Sequence, residues 1–187
     1  MVFTDGYVTA PQCSPSRNDP LNGEKGMLAE GGIRVPFLIS WPGRIVFGTV
    51  WQKPVIALNI PATINAAARL PADPGLDGID LLPVLAAGEE KAPSRDLYWR
   101  FWSQAAVRSG HWKFLRAGKN RKMLFDLAAD AAEQRNVIAD HPDTAAALEA
   151  KLAAWSGELS PPGLPEGPLN GQEQRLYRFY FGDEACR

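Results

Sequence analysis

Apolar residues run in short blocks through the first half of the chain and settle into two regular periods in the second. Val2–Thr9 combines β-branched and aromatic residues and stops before Pro11, which predicts a short strand. Val35–Trp41 (VPFLISW) is almost continuously apolar and is ended by Pro42-Gly43, the pattern of a strand covered on both faces in a parallel sheet. From Leu58 to Leu70 the period changes: Ile60, Ile64 and Ala67 or Ala68 share one side and Pro61 falls in the first turn, so a helix is predicted. Ile79–Leu85 predicts a second, shorter helix. The polar, Gly- and Pro-punctuated stretch from Ala87 to Ser94 reads as a linker.

Beyond Arg95 the blocks shorten. Leu97–Trp102, Ala105–Arg108, Trp112–Arg116 and Met123–Leu127 are separated by turn signals at Ser109-Gly110 and Gly118-Lys119-Asn120, which predicts an antiparallel meander of four strands. Asp140 is placed to cap a helix with Pro142 in its first turn. Leu148, Leu152, Trp155 and Leu159 then recur at helical spacing and should pack on the sheet. After Ser160 the Pro- and Gly-rich tail reads as loop as far as Arg175–Tyr180. The expected organisation is an α/β core over residues 1–90, a strand-and-helix subdomain over 91–160 and a tail over 161–187.

Composition narrows the functional classes. The chain has 187 residues and 45% hydrophobic content, enough for a core. Its 20 basic and 21 acidic residues create no long-range field, so neither nucleic acid nor an anionic membrane is implied as a partner. No apolar run approaches the roughly 20 residues of a membrane-spanning helix, and MVFTDGYVTAPQ lacks the basic and apolar regions of a signal peptide. The sequence as written is therefore expected to remain cytoplasmic. Cys13 and Cys186 stand at opposite ends, with neither disulfide-framework nor metal-site spacing.

The chemically loaded residues lie between Gln12 and Pro36. Cys13-Ser14-Pro15-Ser16-Arg17 has the form C-x-P-x-R, and Gly23-Glu24-Lys25-Gly26 is followed by Glu30-Gly31-Gly32-Ile33-Arg34-Val35-Pro36. Both segments resemble the formylglycine-dependent, arylsulfatase-like sulfatases: the first resembles the motif marking a cysteine for oxidation to formylglycine, the second the segment with the sulfate-contacting lysine. The resemblance implies a sulfatase/alkaline-phosphatase-like α/β sandwich with a C-terminal subdomain of antiparallel strands on a helix; LFDLAADAAEQRNV in the meander also looks like that subdomain. It further implies a sulfuric-ester hydrolase acting on a sulfate-ester small molecule or glycan. Cys13 would become the nucleophile, and Pro15 and Arg17 would complete the recognition sequence for the formylglycine-generating enzyme. Arg17 would also hold the modified residue's oxygen, and Lys25 would neutralise sulfate oxygens. Arg34 is expected to tie the loop to a carboxylate such as Glu30.

In the family, about a hundred residues or more separate the two motifs. Here seven residues lie between Arg17 and Lys25. The expectation is an internal deletion near Arg17/Asn18 and a lost first strand, signal peptide included, since family members are commonly periplasmic or secreted. The resemblance also implies Ca²⁺, a hard cation needing oxygen ligands, yet neither of the family's two carboxylate ligand sets occurs here. Asp5 and Asp19 read as turn residues. His111 and His141 fall in the meander and at a helix start, where packing and capping explain them. Three readings follow: a catalytically impaired sulfatase, a non-catalytic remnant acting as a structural or interaction module, and a protein whose Cys13 is a redox or structural thiol. The apolar segment 35–41, lacking neighbours, is expected to promote self-association.

Overall fold

The computed structural model describes residues 18–160 and 168–182. Among them, residues 36–94 form one compact unit, and residues 18–35 with the described residues from Arg95 onward form another. The segment carrying Lys25 thus packs with the C-terminal sheet, although sequence alone groups it with residues 1–90.

In the unit containing Lys25, a single helical turn, α1 (Glu30–Ile33), precedes the meander. The meander consists of β1 (Leu97–Phe101), β2 (Gln104–Ser109), β3 (Trp112–Ala117) and β4 (Arg121–Asp126), antiparallel and in chain order. The expected four strands therefore form. Their two-residue period sorts side chains onto two faces. Ala105, Val107, Phe114 and Leu124 point to one face, where they meet Ala145, Leu148 and Leu152 of a long helix, Pro142–Glu158. Ala106, Leu115, Ala117, Met123 and Phe125 point to the other, against Met27, Leu28, Ala29 and Tyr177. Both faces are covered, so the sheet needs no further layer to bury its apolar residues.

The other unit contains α2 (Asn59–Ala67), α3 (Leu81–Ala87) and a 3₁₀ turn, Glu89–Lys91. Both helices fall where the sequence places them. Asp80 caps α3 by accepting a hydrogen bond from the Leu82 amide at 2.9 Å. The Thr63 hydroxyl of α2 accepts one from the Leu81 amide at 3.0 Å.

Three local expectations are corrected. Val35–Trp41 is not a strand: a strand's backbone needs a neighbour to bond, and none among the described residues pairs with it. Leu38 stands 91% exposed. Asp140 does not cap the long helix, α4; His141 occupies the N-cap position without a side-chain bond, while Asp140 accepts from Arg135 at 2.9 Å. The stretch around Arg175–Tyr180 belongs to a helix, α5 (Gly171–Phe181). Its start is a capping box in which Asn170 accepts from the Gln172 and Glu173 amides and Glu173 accepts from the Asn170 amide.

Candidate functional site

Lys25 occupies the second position of a tight turn closed by the Met27 amide donating to the Glu24 carbonyl at 2.9 Å. Gly26, at the third position, has φ +89°, the left-handed conformation that a type II turn requires there. The chain then enters α1 with little clearance. A Cβ added at Gly31 would lie 2.3 Å from the Gly23 carbonyl oxygen, and one at Gly32 would lie 2.1 Å from that of Met27. These contacts explain physically why the motif carries Gly-Gly between Glu30 and Ile33.

Around the turn, polar groups from distant parts of the chain form a buried frame. Glu30, the first residue of α1, accepts from Lys113 of β3 at 2.9 Å, and Lys113 also pairs with Glu133 at 2.8 Å. The other Glu133 oxygen accepts from the Glu30 amide at 2.6 Å. Lys113 and Glu133 are fully buried. Arg108 lies directly across the sheet from Lys113, and its guanidinium approaches Glu30 at 4.0 Å. Two cations opposed on neighbouring strands would repel each other; the carboxylates between them reverse that cost.

The environment pushes the carboxyl groups in different directions. Burial alone would raise the Glu30 pKa, but the charge and hydrogen bond of Lys113, with help from Arg108 and Arg34, hold it below the ordinary carboxylate value. In Glu133 burial outweighs Lys113, and its pKa is raised. Burial also raises Glu24, only partly opposed by the Tyr180 hydroxyl, which donates to it at 3.0 Å.

A second part of the frame centres on Gln104 at the start of β2. Its amide nitrogen donates to the Gly26 carbonyl at 2.8 Å and to Glu173 of α5 at 2.9 Å. Its amide oxygen accepts from the Leu28 amide at 3.2 Å and from the Tyr177 hydroxyl at 2.6 Å.

Of the residues singled out from sequence, Lys25 sits at the apex of this frame. Cys13, Pro15 and Arg17 lie outside the described residues, as do Asp5 and Cys186. Arg34 follows α1, and its charge helps to hold the Glu30 pKa down. His111 and His141 both pack against Trp112, with ring centroids at 5.0 and 4.8 Å. Sequence reasoning missed Gln104, Lys113, Glu133, Glu173 and Tyr177. The Ca²⁺ implied by resemblance does not fit the described residues, among which no group of three or more His, Cys, Asp or Glu side chains converges. The carboxylates flanking Lys25 are engaged elsewhere, Glu24 by Tyr180 and Glu30 by Lys113.

Comparison with known proteins places this geometry in a family. Residues 23–157 match the family described as N-sulphoglucosamine sulphohydrolase, C-terminal. The chain belongs to the sulfatases. It is 30% identical to mouse (Mus musculus) steryl-sulfatase over 183 residues, covering 77% of this chain and 29% of that protein. It is 33% identical to bovine (Bos taurus) arylsulfatase A over 146 residues, covering 61% of this chain and 28% of the relative. Among solved structures, that of Ps i-CgsB superposes with a TM-score of 0.69 at 26% identity, over 87% of this chain and 37% of the other. The fold is accordingly that of the α/β sulfatases, with the antiparallel sheet and helices of their C-terminal subdomain. This chain spans less than a third of the length of the two curated relatives.

Proposed function

We propose that the Lys25 turn, together with Cys13 and Arg17, is the sulfate-ester site of a sulfuric-ester hydrolase, and that this chain by itself binds the sulfuryl group without turning it over. The observation carrying this reading is the frame: the backbone after Lys25 is held by buried hydrogen bonds and a buried ion cluster, which fixes the stem from which its cation projects. Cations on a fixed stem bind oxyanions; chemistry requires more.

The chemistry belongs to Cys13 once oxidised to formylglycine by its generating enzyme. One hydroxyl of the hydrated aldehyde attacks sulfur, the sulfur–oxygen ester bond breaks, and the alcohol leaves with a proton. Loss of the proton from the second hydroxyl then re-forms the aldehyde and expels sulfate. Lys25 and Arg17 would neutralise the sulfuryl oxygens throughout. Protonating the leaving oxygen requires an acid, and the sequence has no counterpart of the family's active-site histidines or metal carboxylates, so impaired turnover follows. The relatives' names span steryl, aryl and amino-sugar sulfates, which supports a sulfate ester, small molecule or glycan, as the ligand class without choosing one.

Aryl-sulfate turnover with added Ca²⁺, measured beside Cys13→Ala, tests the reading together with inorganic sulfate titrated against Lys25→Ala. Millimolar sulfate affinity that depends on Lys25, with no Cys13-dependent turnover, is expected. Cys13-dependent turnover would show an intact enzyme. A second reading, a non-catalytic structural or interaction module, is supported by the sheet burying both faces within its own unit; Lys25-independent sulfate affinity would favour it.

A further inference from the structure

The helix α5 lies beyond the stretch matched by the family, which ends at residue 157, yet it reaches the candidate site with three side chains. Glu173 and Tyr177 contact Gln104, and Tyr180 contacts Glu24, the residue before Lys25. We propose that Gln104 and Tyr177 are positioning residues for Lys25, so that α5 helps fix the sulfate-binding turn through the Gln104 carboxamide.

A glutamine amide offers two donor hydrogens and two acceptor lone pairs. All four are used here. Leu28 N–H can only donate, so the amide oxygen must face it; the Glu173 carboxylate, when ionised, can only accept, so the nitrogen must face it. That orientation leaves the Tyr177 hydroxyl as a donor to the oxygen and leaves the second N–H for the Gly26 carbonyl. Gln104 thereby grips the turn at Gly26 and Leu28, one and three residues after Lys25. Burial keeps the Tyr177 pKa raised, so its hydroxyl remains a donor across ordinary pH. Removing that hydroxyl leaves the amide oxygen one partner short and loosens the hold of the carboxamide on Gly26 and Leu28.

The inference rests on the sulfate-binding reading above, and a double-mutant cycle separates the two. Inorganic sulfate is titrated into the full chain by amide NMR for the parent, Tyr177→Phe, Lys25→Ala and the double variant, with thermal melts alongside. Tyr177→Phe should weaken sulfate binding about three- to tenfold when Lys25 is present, the scale of one hydrogen bond, and should change nothing in the Lys25→Ala background. Gln104→Met should do the same more strongly. A lowered melting temperature with unchanged sulfate affinity would mean a purely structural role and would overturn the inference. Equal weakening in both backgrounds would overturn it too, since the effect would not pass through Lys25. If Lys25→Ala weakens binding while neither Tyr177→Phe nor Gln104→Met does, only the positioning role fails; if Lys25→Ala binds sulfate as the parent does, the sulfate reading fails and takes this inference with it.

Discussion

Lys113 and Glu30, 83 positions apart in sequence, meet at 2.9 Å with the lysine wholly out of solvent. The pair joins the middle of the sheet to the helical turn that follows Lys25. Removing the cation leaves Glu30 and Glu133 buried beside each other. Lys113→Met should therefore destabilise the chain by about 3–5 kcal/mol in urea unfolding. Adding Glu30→Gln and Glu133→Gln should recover much of that loss, because the repulsion would be gone.

Glu24 gives a pH-dependent prediction. Its folded pKa is raised from the ordinary 4.5, so the folded state holds the proton more tightly than the unfolded one. Its contribution favours folding at low pH and is lost as pH rises through the raised value. Glu24→Gln retains an oxygen for the Tyr180 hydroxyl and removes the charge. The variant should melt higher than the parent at pH 7, and the advantage should vanish below about pH 4.5. An advantage that persists at low pH would assign the effect to something other than ionisation.

The capping box of α5 gives a prediction about the helix start itself. Asn170→Ala removes the acceptor for two amides and should cost about 1 kcal/mol. Hydrogen exchange should speed up across 171–181 while β2 and β3 stay protected.

The unit spanning 36–94 carries a different liability. Leu38 is 91% exposed and Phe47 101%, with Val46, Val50 and Ile64 also open to solvent. Such apolar surface is expected to drive self-association at high concentration. Sedimentation of Leu38→Glu with Phe47→Glu should shift toward monomer; a parent already monomeric would refute the expectation.

The meander was legible because Gly110 and Gly118 punctuate β-rich blocks, and α4 because Leu148 and Leu152 keep a helical period beside Pro142. α5 was obscured by the β-favouring aromatics of RLYRFY, although Asn170 followed three residues later by Glu173 is a helix-start signal. Val35–Trp41 misled because an apolar run signals strand only where a neighbouring strand exists to pair with it. The lysine motif could be read, but its frame could not. Gln104, Lys113 and Glu133 look like ordinary strand and turn residues, and only the fold brings them 76 to 103 positions along the chain to Leu28 and Glu30.

The contact between Tyr180 and Glu24 spans 156 positions, and that distance has a meaning in time. Translation produces Lys25 before the helix that clasps its turn, by about ten to thirty seconds at ordinary elongation rates. Throughout that interval the turn is a nascent loop that cannot yet reach its clasp. A chain ending before Glu173 would still hold the whole sheet and α4, but the turn at Lys25 would lack the contacts that Glu173, Tyr177 and Tyr180 bring to it through Gln104 and Glu24.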